Sequence, residues 1–168
     1  WPHPARGAAG NLHRRRRGNG SCALISDWRL RIADLFSASH KMSPEDFKRR
    51  TKAFAIGIVR GVEALPKSPT ASVLGRQLLR SGTSVGANYR AACRAKSRAD
   101  FIAKLTIVEE ECDESLFWME LLVETGAVRP AQFSELMREG NEILAMVVAS
   151  ARSARANSNP KSAIANPK

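Results

Sequence analysis

Imidazole is almost missing from the chain: His3, His13 and His40 are the only histidines, so no later residue offers a histidine base or metal ligand. A Ser/His/Asp or Cys/His catalytic set needs that ring beside its nucleophile, and a helix-borne di-metal site needs Glu-x-x-His pairs. Both are excluded from the sequence after residue 40. Cysteine is scarce as well. Cys22, Cys93 and Cys112 form no CxxC pair and have no histidine neighbour, which argues against a zinc or redox motif and for a reducing, cytosolic setting. One Tyr, six Phe and no Asn-Gly turn in the central region leave little to build strands from. No apolar run approaches the roughly 18 residues of a membrane span, and no continuous apolar segment follows the N-terminal arginine run as it would in a signal peptide. No metal, cofactor or small-molecule substrate is expected.

What the sequence has in excess is positive charge, formally +11 over 168 residues. Residues 1–41 hold eight Lys/Arg against two Asp, and residues 152–168 hold four Lys/Arg and no acid. The middle, 42–151, holds fifteen bases against fourteen acids. The body is therefore nearly neutral, and the high isoelectric point describes the ends.

Residues 1–41 carry Gly, Asn and the run Arg14 to Arg17 and are expected to be disordered or non-native, with a short helix around Asp27–Phe36 as the alternative. Met42 reads as the initiator. A four-helix bundle is expected over 42–151. Ser43-Pro44-Glu45-Asp46 is a helix start, with N-cap, proline at the first helical position and acids in the first turn. The first helix should carry Phe47, Phe54, Ile58, Val62 and Leu65 to the stop at Pro66. Ser68-Pro69 repeats the signal and opens a second helix with Val73, Leu74, Leu78, Ser81, Val85, Asn88 and Ala92, where Gly82 and Gly86 predict a kink or a close crossing. Ser97 to Asp100 caps a third helix, whose stripe Phe101, Leu105, Val108, Cys112, Ser115, Met119 and Leu122 steps by four and three. Gly126 ends it, Pro130 restarts the chain, and Phe133, Leu136, Met137, Ile143, Leu144, Val147 and Val148 mark the fourth helix up to Ala151. Short connections require antiparallel neighbours, so the fold class is all-α, an up-down-up-down bundle with disordered N- and C-terminal tails, the latter over 152–168.

The polar stretch Arg80-Ser81-Gly82-Thr83-Ser84-Val85-Gly86-Ala87-Asn88-Tyr89 lacks the Gly-Lys-Ser/Thr ending of a phosphate loop. Packing explains it better: small residues admit a close helix, while Ser81, Ser84 and Asn88 satisfy local backbone groups. From Arg76 to Arg98 there are six bases and no acid, whereas Asp100 to Glu124 hold eight acids against Lys104 alone. Neutralisation of one helix by the other, within or between subunits, is the plainer reading. The sharper one is a basic surface for phosphate backbones made by Arg76, Arg80, Arg90, Arg94 and Arg98. Glu110 and Glu114 read as a solvated face, Cys93 and Cys112 as small core residues, and Trp118 as a core or interface anchor.

The run Gln77 to Tyr89, then Ala91-Ala92, then Lys96 to Leu105, with Glu110, Asp113-Glu114, Trp118 and Glu120-Leu121-Leu122 further on, resembles the four helix bundle protein family, also called the 23S rRNA intervening-sequence proteins. The resemblance covers about Phe47 to Ala149. It implies a small bacterial cytoplasmic protein that assembles with itself, often as a homopentamer. The motif Arg80, Ser81, Gly82, Ser84, Gly86, Asn88 and Tyr89 would then serve packing or assembly. Relatives include genes lodged in ribosomal RNA and a retroelement accessory protein that binds nucleic acid and reverse transcriptase. Members commonly carry Glu after the Asn-Tyr pair, where this chain reads Arg90-Ala91-Ala92. The expected function is a non-enzymatic, homo-oligomeric accessory or scaffold protein that binds RNA or DNA through the second helix, the alternative being a purely structural protein-interaction module.

Overall fold

The computed structural model describes residues 42–156. The expectations for 1–41 and 157–168, disorder and the Asp27–Phe36 helix included, lie outside the described residues. Four helices follow in order: α1 (Pro44–Glu63), α2 (Pro69–Ala92), α3 (Arg98–Glu124) and α4 (Ser134–Ala156). No strand occurs among the described residues.

Each of the first three helices starts where its cap requires. The Ser43 hydroxyl accepts the Asp46 N–H while the Asp46 carboxylate accepts the Ser43 N–H, a reciprocal capping box. Ser68 and Ser97 accept the N–H groups of Ala71 and Asp100 in the same way. Gly126, at φ +71°, ends the α3 region in the left-handed conformation that glycine adopts most cheaply. The fourth segment differs from expectation at both ends. Pro130 opens a single 3-10 turn to Gln132, and the α-helix proper begins at Ser134. At the far end α4 runs on through Arg152 to Ala156 instead of stopping at Ala151, because Ser150, Ala151 and Ala154 continue its buried stripe with residues too small to register as apolar.

All seven predicted seam residues of α3, from Phe101 to Leu122, are buried. With Phe47, Phe54, Ile58, Leu78, Phe133, Ile143 and Val147 they form one continuous core. Each large side chain so removed from water contributes roughly 1.5–3 kcal/mol. Sequential helices pack against each other, and α4 closes on α1. Up-down-up-down order places Met42, the α2–α3 turn and Ala156 at one end of the bundle. No helix among the described residues is long and apolar enough to cross a membrane.

Candidate nucleic-acid interface

α2 has two faces, and the family-like motif lies mostly on the inner one. Ser81, Gly82, Val85, Gly86 and Tyr89 are all buried. A Cβ on Gly82 would sit 2.7 Å from Ile58 of α1, and one on Gly86 would sit 3.2 Å from the Thr51 carbonyl oxygen. The glycines thus produce the close crossing and α2 remains one continuous helix. Tyr89 stacks edge-on against Phe47 with ring centroids 4.7 Å apart, and burial raises its phenol well above the ordinary range. Ser81 donates to the Gln77 carbonyl at 3.1 Å and lies 3.0 Å from the Ser115 hydroxyl of α3. Asn88 donates to the Ser84 carbonyl at 3.0 Å, so Ser84 takes part through its backbone.

The outer face carries Arg76, Arg80 and Arg90, and Arg94 follows in the turn just past the end of the helix; all four are exposed. They do not make one patch. Arg80 crosses to α3, where it pairs with Glu114 and with Glu111 at 3.4 Å. That guanidinium, followed by the hydrogen bond from the Trp118 indole N–H at 3.0 Å, holds the Glu114 carboxyl below its ordinary value. Arg80 is therefore committed to neutralising α3 within the chain. Arg76 donates to the Ser72 hydroxyl at 3.0 Å and stands fourteen residues before Arg90, about 21 Å along the helix.

Arg90 and Arg94, one turn apart, face solvent with no carboxylate in ion-pair distance among the described residues. Near them the α2–α3 turn forms a shallow concavity of about 520 Å³ lined by Ala91, Arg94, Lys96, Ser97, Asp100 and Lys104. Arg98, half-buried, opens α3 beside it. Lys96 counts among the bases before α3 and Lys104 is the lone base within it, but the sequence pattern places neither in the candidate surface; Lys96 follows Arg94 in the chain, and the turn brings Lys104 beside them. Asp100 tempers this end: it pairs with Lys104 at 2.8 Å and accepts the Lys96 N–H at 2.9 Å. Lys104 first, then that N–H, lowers its carboxyl. The described residues also begin and end at this end of the bundle, and the sequence before and after them carries most of the excess of bases.

Two further features escaped the sequence. Arg50 of α1 clamps α4, donating to Glu139 at 2.8 Å and to Glu142, with Met146 sulfur at 3.4 Å. A sequence separation of 89 gives local spacing nothing to detect. Cys112 is buried, its thiol pushed up to about 12 by that burial, whereas Cys93 is only half-buried. No cluster of His, Cys, Asp and Glu among the described residues is arranged to hold a metal ion.

The family model for the 23S rRNA-intervening sequence protein matches residues 45–149, and the chain belongs to that family. A crystal structure of a protein with unknown function from the S23 ribosomal protein family of Bacteroides thetaiotaomicron is 36% identical, with a TM-score of 0.61. The match covers 65% of this chain and 97% of that one. No curated protein matches the chain.

Proposed function

We propose that the protein is a non-enzymatic cytoplasmic accessory factor that assembles with copies of itself and holds RNA or DNA at the α2–α3 end of the bundle. The observation that carries this reading is the pair Arg90 and Arg94, exposed and without an acidic partner on an otherwise neutral body. Phosphate contacts of this kind are electrostatic and sequence-tolerant, and repetition of a weak patch around an assembly makes it effective through multivalency. The family resemblance favours five copies.

Titration of the full chain with a labelled RNA hairpin and a DNA duplex at 50 and 200 mM salt tests the reading. Binding should weaken steeply with salt, and Arg90→Glu with Arg94→Glu should weaken it further at low salt. Unchanged binding by that double variant would assign the contact to the basic tails. Absence of binding at low salt favours the second reading, a protein-interaction module, for which the half-exposed Phe117 and Ile107 on α3 are the supporting observation.

A further inference from the structure

α3 is apolar on more sides than the bundle uses. Beyond its buried seam it shows Phe117 with 51% of its surface exposed, half-buried Leu121 one turn on, and exposed Asp113, Glu120 and Glu124 around them. A helix with apolar residues all round is normally covered all round. Elsewhere, where α1 turns into α2, a groove of about 520 Å³ is walled by Val62, Leu65 and Leu79, with exposed Lys67 and Arg76 at its rim and no carboxylate in its lining. One chain thus carries an apolar knob ringed by acids and an apolar groove edged with bases.

The two lie at the same height. α2 and α3 are antiparallel, and the 3.0 Å contact between Ser81 and Ser115 sets their register. Stepping back two residues on α2 and forward two on α3 sets Leu79 level with Phe117, and six residues set Gly75 level with Leu121. A second copy turned about an axis parallel to the bundle therefore meets the groove with its knob without sliding along that axis. Knob against knob is disfavoured, because it sets Asp113, Glu120 and Glu124 against their own counterparts.

We infer that Phe117 and Leu121 of one copy seat in the Val62–Leu65–Leu79 groove of the next, in a head-to-tail contact with Glu120 and Glu124 beside Lys67 and Arg76. This rests on the self-assembly reading above and gives it a direction. Such a contact uses two different surfaces, so it closes into a ring or runs into a filament and does not stop at a two-fold dimer.

Light scattering on the full chain and two variants tests it. Phe117→Asp removes the knob, and Ser72→Glu with Arg76→Glu reverses the rim at two exposed positions. Each variant alone should fall to the 18.4 kDa mass of one chain. Mixed one to one, the two should form a heterodimer and go no further, since one intact knob meets one intact groove. Unchanged helical circular dichroism establishes that each variant is folded, with Phe117→Ser as a milder replacement should Phe117→Asp unfold. A wild-type chain that is monomeric throughout overturns both this contact and the assembly reading. Wild-type mass retained by a folded Phe117 variant overturns the contact and leaves assembly standing. Monomeric variants that fail to pair on mixing overturn the assignment of the groove.

Discussion

The two faces of α2 are built from neighbouring residues yet face opposite demands. Inward, Ser81, Gly82, Val85, Gly86 and Tyr89 are buried against α1 and α3, and their size sets the distance between helices. Outward, Arg76, Arg80 and Arg90, with Arg94 just past the helix end, meet water, and their size matters little. A sequence motif records both at once. The inner face is intolerant because a packed interior yields little to an added atom, whereas the outer face is free to vary in charge and so is where recognition can reside. Arg80 shows that the outer face is itself divided, since its charge is spent on Glu111 and Glu114.

The strongest way to break this comparison is to enlarge the inner face. Gly82→Val should cost about 2–3 kcal/mol, because its Cβ alone would lie 2.7 Å from Ile58. Thermal melting should show a fall of about 8–12 °C, and an unchanged midpoint would mean that the crossing is loose. Next comes the α1–α4 clamp. Arg50→Ala should cost about 1–2 kcal/mol in denaturant melts, since Glu139 and Glu142 lose charged hydrogen-bond partners in a partly buried site.

Acid should have a smaller effect. Asp46, Asp100, Glu114 and Glu142 all hold their protons less tightly than usual, owing chiefly to Ser43, Lys104, Arg80 and Arg50 respectively. A carboxyl lowered in the folded state adds stability that is fully present above its unfolded value, 3.8 for Asp or 4.5 for Glu. That stability is lost as pH falls through the lowered folded value. Denaturant midpoints should therefore hold between pH 7 and 5 and decline below about 4.5, and a midpoint flat down to pH 3 would show that these pairs contribute nothing. The smallest change in stability belongs to the outer face. Arg90→Ala with Arg94→Ala should shift it by less than about 0.5 kcal/mol. The slope of nucleic-acid affinity against salt should nevertheless shrink by roughly one per arginine.

The positions of the helices were legible in the sequence because local signals specify them. Ser43, Ser68 and Ser97 cap by bonding N–H groups three residues ahead, and the α3 seam repeats within two turns. The end of α4 was not legible, because beyond Ala151 only Ala154 continues the buried stripe, and it buries too little surface to look different from tail. Among the candidate arginines, type and helix face could be read from spacing, but not which were already paired. Arg80 and Arg90 look alike along the chain, and only the neighbouring helix distinguishes them.

By itself, then, the sequence determined four amphipathic helices, their caps, their antiparallel order and the near-neutrality of the body, all of which follow from interactions within a few residues or from composition. The tertiary structure alone decided that Gly82 meets Ile58, that Arg50 reaches Glu139, that Arg80 is paired while Arg90 and Arg94 stay open, and that Phe117 stands level with Leu79. Those facts depend on the rotation and axial register of one helix against another. That register is chosen by the packing of all the side chains together, and no local spacing encodes it.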